Sequence, residues 1–376
     1  MRARDYGIEV GVGTPAPLNA ITDVPGVRVG HTTLIEGEGP LDVGRGPVRT
    51  GVTIILPPDP IFERPLFAGS HRLNGNGELT GLEVIREAGL LSTPIGLTNT
   101  HSVGVVRDAI IAHEFAERGR DAGFYWSLPV VGETWDGTLN DTNGLHVHPE
   151  HVVQAFRAAS DGPVAEGGVG GGTGMICHGF KGGIGTASRV CLPDEEPFTV
   201  GVLVQANHGR RARLAVNGAP VGREIGPREI PEPIDPDALP SGSGSIIVII
   251  ATDAPLLPHQ CDRLAQRAGL GVARTGGVGE HFSGDLFFCF ATGNRTMSAD
   301  APGQSPPVAV AVSMLSDIYI TALFDAVVEA TEEAIVNALL GAETMVGRDG
   351  VTAHALGGER LAEVLGQYRL ATLPGG

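Results

Sequence analysis

Apolar residues recur along this chain in two rhythms. Arg49-Thr-Gly-Val-Thr-Ile-Ile-Leu-Pro57 is a nearly unbroken β-branched run closed by proline, which predicts a buried strand. Further strands are predicted over 128–132, 183–192, 199–206, 245–251 and 286–291. The run Ile246-Ile-Val-Ile-Ile250 holds no polar residue, as a strand covered on both faces requires. Spacings of three and four mark helices instead. They fall over 80–87, 103–117 (Val103, Val106, Ile110, Ala112, Phe115), 149–159 and 258–268. The longest spans 317–340, with Ile318, Ala322, Leu323, Ala326, Val327, Ala334, Ile335, Ala338 and Leu339 in phase, and a last one covers 359–368. The first fifty residues mix Gly, Pro and short β-branched runs without a clear period. This mixture predicts an α/β protein with helices on the outer faces of its sheets.

Asn217 to Ser245 fits neither rhythm, with prolines at 220, 227, 231, 233, 236 and 240 and the ending Ser241-Gly-Ser-Gly-Ser245. It reads as an exposed linker that meets the most hydrophobic strand of the chain with no turn between them, and a linker of that length inside a compact unit is functional or disordered.

Composition narrows the functional classes. The 376 residues include 56 Gly, about twice average usage, so backbone contacts carry much of the packing. A net charge of -17 opposes nucleic acid and anionic membranes as partners. Four cysteines without a CxxC pair do not make a disulfide framework. No apolar run is long enough to span a membrane, and Met1-Arg-Ala-Arg-Asp5 does not lead into a signal peptide. A soluble, cytoplasmic protein is expected.

The glycine tract from Glu166 to Gly185 lacks the Gly-Lys-Ser/Thr of a phosphate loop, since Lys181 stands between Phe180 and Gly182. Its role is close backbone packing, with N–H groups free to face an oxyanion. Neither His113-Glu114 nor His146, His148 and His151 has metal-site spacing, and no metal or organic cofactor is expected. Gly242-Ser-Gly244 leads into a strand, not a helix, which excludes the α/β-hydrolase elbow. Ser245 is more informative. Were the bond before it cut, its hydroxyl and a new α-amine would stand together at a sheet edge, and an amine with pKa near ~7.7–8.0 can take the hydroxyl proton. A plain Gly/Ser linker is the competing reading of the same residues. Ser283 and Asp285, spaced i, i+2 at a strand entrance, share one face, and Glu133 with Trp135 follows the strand at 128.

Several stretches together resemble the DmpA family of L-aminopeptidase D-esterase/amidases, which includes the β-peptidyl aminopeptidases. They are Ile21-Thr-Asp-Val-Pro-Gly-Val-Arg-Val-Gly-His31, Asn76-Gly-Glu-Leu-Thr-Gly81, Gly172-Thr-Gly-Met175, Gly179-Phe-Lys-Gly-Gly-Ile-Gly-Thr-Ala-Ser-Arg189, Gly244-Ser-Ile-Ile247, Ala251-Thr-Asp-Ala-Pro-Leu256 and Glu329-Ala-Thr-Glu-Glu-Ala-Ile335. The resemblance implies a four-layer αββα sandwich, similar to the N-terminal nucleophile hydrolases but with different connectivity. It implies one catalytic domain over 1–376, self-cut between Gly244 and Ser245 into 1–244 and 245–376. By position, Ser245 matches the nucleophile, Ser283 and Asp285 the hydroxyl and carboxylate that contact it, and Asn207 the oxyanion amide. Glu133 matches the carboxylate that holds the substrate amine, and Trp135 stands where a tyrosine is expected. Asp285 is often Glu in members that cleave β-peptides, which leaves the substrate subclass open. The implied substrate is a small peptide, amino-acid amide or ester, and the implied assembly a tetramer of processed αβ heterodimers. A nylon-oligomer-type hydrolase or acyltransferase of the same architecture is the rival enzyme, and a non-catalytic glycine-rich binding protein the rival outside enzymes.

Overall fold

A computed structural model describes residues 1–119, 123–192, 194, 196–234, 244–298 and 307–368. Its main strands are Arg28–Glu36 (β1), Val48–Leu56 (β2), Leu66–Gly75 (β3), Ile95–Asn99 (β4), Val130–Thr134 (β5), Gly183–Cys191 (β6), Phe198–Asn207 (β7), Gly244–Thr252 (β8) and Ser283–Ala291 (β9). Its helices are Leu82–Ala88 (α1), Val103–Arg118 (α2), Pro149–Ala158 (α3), Pro258–Arg274 (α4), Ile320–Leu340 (α5) and Gly358–Gln367 (α6). One sheet runs β1-β2-β4-β5, and the other runs β3-β9-β8-β7-β6 with the two-residue strand Leu90–Leu91 outside β3.

The uninterrupted apolar run in β8 explains the layering. Ile246, Val248 and Ile250 enter the core shared with α4 and α5, while Ile247, Ile249 and Ala251 enter the layer between the sheets. On the far side, Val106 and Ile110 of α2 and Val152 of α3 cover Val52 and Ile54 of β2. The order is helix, sheet, sheet, helix, as expected. Strands β8 and β9 are parallel, and α4 forms the crossover between them. No helix among the described residues is long and apolar enough to cross a membrane.

Helix α5 lies so close to β6 that a side chain on Gly185 would enter the Ala334 carbonyl. Its Glu329 and Glu333 join an ion cluster. Arg189 reaches Glu333 at 2.7 Å and Glu329 at 3.2 Å, and Arg4 reaches Glu333 at 2.9 Å. The Glu333 carboxyl is held below its ordinary pKa: burial pushes it up, and hydrogen bonds and charge from Arg4, Arg189 and Asn19 outweigh that.

Four sequence expectations need correction. Strand β5 begins and ends two residues later than predicted, so Glu133 lies inside it rather than after it. Strand β9 begins at Ser283, which also places Asp285 within the ladder. The stretch read as an exposed linker folds in its first half: Val221–Glu224 is a helical turn, and Ala219, Val221 and Ile225 are buried. Its remainder, 235–243, lies outside the described residues. Ile318 is 81 % exposed and precedes α5, although it matched the helix phase.

Replacing Glu333 with Leu strips Arg189 and Arg4 of a buried partner. The expected loss is about 3–5 kcal/mol of stability, read from the denaturant midpoint at unchanged m-value.

Candidate active site

The candidate residues gather at the start of β8. In the antiparallel β7–β8 ladder Ser245 stands opposite Asn207, and in the parallel β8–β9 ladder it stands opposite Gly284. Residues in register share a face. Ser245 and Asn207 therefore lie on the same side as Ile247 and Gln205, facing the other sheet. Gln205 spans the gap, its Nε2 donating to the Thr98 carbonyl at 2.9 Å and to Thr134 Oγ1 at 2.8 Å.

Ser245 is buried, and its hydroxyl donates to the carbonyl oxygen of Gly244 at 2.5 Å. The hydroxyl thus already touches the peptide unit that precedes it. Asn207 is fixed from both ends: Oδ1 accepts from Ile176 N–H at 2.7 Å, and Nδ2 donates to the Trp135 carbonyl at 2.8 Å. One of its two amide hydrogens is thereby used, and the other remains available.

The glycine tract supplies the frame around this amide. Gly170–Gly172 form a short turn against β2 and β4, and a side chain on Gly171 would collide with Gln205. Lys181 is fully buried, its Nζ donating to the carbonyls of Gly172, Met175 and Gly182 at 3.3, 2.9 and 2.7 Å. Burial pushes its pKa down to about 7, while the three carbonyls are the acceptors an ammonium needs. Lys181 thus pins the segment that ends at Ile176, whose N–H holds Asn207.

Glu133 belongs to β5 of the other sheet, where Gly132 faces Ile247 and the pleat turns Glu133 the opposite way. Its Oε1 accepts from Glu78 N–H at 2.8 Å, and its Oε2 accepts from the Thr100 hydroxyl. A methyl group on Gly77 would lie 3.1 Å from Glu133 Oε1 and 3.0 Å from the Gly284 Cα, which places the carboxylate beside the strand neighbour of Ser245. Burial raises the Glu133 pKa, against the hydrogen bonds from Thr100 and Glu78. A cation arriving there would restore the charged form. Trp135 is half-buried, its ring edge-on to His101 at 5.5 Å, so a flat surface replaces the expected hydroxyl.

Ser283 and Asp285 stand together, with Ser283 Oγ donating to Asp285 Oδ1 at 2.7 Å. They are not brought to the Ser245 hydroxyl. Ser283 is in register with Gly244 and Asp285 with Ile246, so the pleat turns both toward the helix-covered face. The pair flanks the backbone on the amine side of Ser245 instead. Burial pushes Asp285 up to about 6, opposed by the Ser283 hydroxyl and the Ile246 amide.

Sequence reasoning missed Thr100, the Glu78 amide, Ile176 and the pinning role of Lys181. Two of these lay within quoted motifs, Asn76-Gly-Glu and Gly-Phe-Lys-Gly-Gly, but main-chain donors carry no residue-type signal. The histidines set aside as metal ligands have other contacts: His146 Nε2 meets Asp141 at 2.8 Å, and His113 packs on Phe156.

Two facing sheets between helices, with Ser245 near the head of a central strand, make a four-layer α/β sandwich. The chain belongs to peptidase family S58, whose family model matches residues 19–353. It is similar to the beta-peptidyl aminopeptidase BapA of Sphingosinicella microcystinivorans, 47 % identical over 98 % of this chain and 92 % of that one. A solved beta-aminopeptidase of Burkholderia sp. superposes with a TM-score of 0.90 at 54 % identity, covering 99 % of this chain and 100 % of the other. The L-aminopeptidase D-Ala-esterase/amidase of Ochrobactrum anthropi, described as a new variant of the Ntn hydrolase fold, superposes at 0.87 with 44 % identity over 98 % and 99 %. The four-layer expectation and the family resemblance both hold.

The raised Asp285 pKa sets a sign for stability. Its folded value of about 6 exceeds the ordinary 3.8, so protonation favours the fold below about pH 4, and that advantage is lost as pH rises through about 6. The loss is roughly 3 kcal/mol at most. Asp285→Asn is expected to flatten this part of the stability–pH curve, and Ser283→Ala to move the carboxyl titration, followed by carbon NMR, above 6.

Proposed function

We propose that this protein is a self-processing serine aminopeptidase/amidase that releases N-terminal amino acids from small peptides, amides or esters. The observation that carries the reading is Ser245 at the start of the central strand, its hydroxyl on the Gly244 carbonyl and Asn207 opposite it in register. In the proposed maturation, Ser245 Oγ attacks the Gly244 carbonyl carbon and the acyl group moves from nitrogen to oxygen. Water then cleaves the ester, giving 1–244 and 245–376.

In the processed enzyme the freed α-amine of Ser245 takes the hydroxyl proton as Oγ attacks the substrate carbonyl. The free N–H of Asn207 receives the developing oxyanion, and Ile176 and Trp135 hold that amide in place beforehand. Ser283 and Asp285 act on the amine side of the strand, a role that their register with Gly244 and Ile246 supports. The proton then passes to the leaving amine, and water releases the acyl group. Glu133 selects substrates with an ammonium group, which makes the enzyme an exopeptidase. The identities to enzymes named for β-aminopeptidase and for L-aminopeptidase D-Ala-esterase/amidase activity support acceptance of β-amino acids beside L-amino acids and D-alanine derivatives. Four buried free cysteines support a reducing, cytoplasmic setting, and a tetramer of processed heterodimers is the proposed assembly.

Intact mass tests maturation. Wild type is expected to give fragments of about 25 and 14 kDa from the 38.9 kDa chain, in proportion to length. Ser245→Ala is expected to stay whole, and equal full-length masses for both proteins would reject self-cleavage.

Amine selection is tested with an amino-acid p-nitroanilide and its N-acetyl form. A charge-assisted bond of about 1.5–3 kcal/mol corresponds to ~10- to 150-fold in kcat/KM for the free amine. Glu133→Gln is expected to shrink that preference by slowing the free-amine substrate. An unchanged ratio in a processed, folded variant would remove Glu133 from the site. In Asn207→Ala, once processing is verified, kcat is expected to fall about 10²- to 10³-fold.

A further inference from the structure

Behind Asn207 the fold buries a second group of reactive side chains that the proposed chemistry does not use. Cys177, His178 and His208 are each fully or almost fully buried, and one ligand atom from each lies within 4.8 Å of the others. The thiol of Cys177 is 3.8 Å from His208 Nδ1, and the two imidazole rings meet edge-on at 5.1 Å. His178 Nδ1 lies 3.2 Å from the Arg210 carbonyl. A carbonyl only accepts, so Nδ1 carries the proton and Nε2 presents its lone pair. That Nε2 is buried without a hydrogen-bond partner among the described residues, and so is His208 Nε2.

Unpaired buried imidazole nitrogens are costly unless they have a use. A backbone carbonyl on the far nitrogen of a histidine is the arrangement that orients metal ligands. One thiol and two imidazoles match the donor set and softness of Zn2+, with a fourth position open.

We propose that Cys177, His178 and His208 form an inhibitory Zn2+ site that throttles turnover by moving Asn207. Binding exchanges the thiol proton for the metal: the S–H bond breaks, an S–Zn bond forms, and one proton leaves to solvent. Arg211 Nε donates to the His178 carbonyl at 3.1 Å, and this nearby positive charge opposes a dication. The site is therefore filled from added metal and is not a resident centre. Its effect on catalysis follows from the chain. Cys177 follows Ile176, whose N–H grips Asn207 Oδ1 at 2.7 Å, and His208 follows Asn207 directly. Drawing Cys177 and His208 onto one ion shifts Ile176, one of the two holders of that amide, and the backbone of Asn207 itself. The inhibitory half of the proposal rests on the oxyanion role proposed for Asn207, whereas metal binding does not.

The test uses the full-length purified protein, stripped with EDTA and titrated with ZnCl2 in a buffer free of thiols and phosphate. Bound metal is counted by elemental mass spectrometry after gel filtration, proton release by an indicator dye, and turnover on an amino-acid p-nitroanilide. Cd2+ replaces Zn2+ to read the thiolate charge-transfer band. Wild type is expected to bind one equivalent, release one proton and lose at least about tenfold in kcat with KM little changed. Cys177→Ser and His178→Gln are expected to keep basal turnover, weaken binding about 10- to 100-fold or more, and resist inhibition. Either variant suffices if the other does not fold. No saturable equivalent in wild type, or the same equivalent and band in the variants, would overturn the site. A site that binds metal without lowering turnover would overturn the inhibition, and an absence of peptidase activity in metal-free protein would count against the proposed function alone.

Discussion

Backbone lies against backbone at the centre of this molecule, and the rest of the structure depends on that contact. A side chain on Gly183 would enter the Gly167 carbonyl, one on Gly172 would enter the Ile184 amide, and one on Gly185 would enter α5. Glycine is required here by proximity, since only a residue without Cβ lets two chain segments approach this closely. The tract can then slip between the sheets and deliver its polar main-chain groups to a buried place. Those groups need partners, and Lys181 supplies three of them from inside. The frame that holds Asn207 is thus assembled from carbonyls and amides, with one lysine as its centre.

The same economy explains what the amino-acid sequence disclosed. Strands β2, β6, β7 and β8 were legible because both faces are buried and their residues are correspondingly β-branched or small. Strand β3 was not, since Ser70, His71, Arg72 and Asn74 crowd its second half, where the strand leaves the core. Strand β1 hides in a mixed pattern for a similar reason, its C-terminal half being largely exposed. The first half of the proline-rich stretch was misread because prolines there punctuate a buried turn around Val221 and Ile225 instead of keeping the chain in solvent.

The site was legible in part. The i, i+2 spacing of Ser283 and Asp285 forecasts their mutual hydrogen bond, because the period of two belongs to a single strand. It does not forecast that they face away from the Ser245 hydroxyl. That depends on the register between β8 and β9, fixed by packing far from either residue. Glu133 was found through its motif, but its partners, Thr100 and the Glu78 amide, come from segments that only the folded chain brings together.

The order of strands in the larger sheet has a mechanical meaning. Strands β8 and β9 sit side by side, with β7 on one flank and β3 on the other, and both flanking strands precede residue 244. A chain severed before Ser245 would leave its C-terminal piece wedged into the middle of a sheet whose outer strands belong to the N-terminal piece. Helices α4 and α5 of the same piece also bury the apolar side of those outer strands. The two polypeptides would have no interface that could open while either kept its shape. Coming apart would mean global unfolding, and a denatured mixture would have to refold as an encounter of two chains, at a rate set by their concentration.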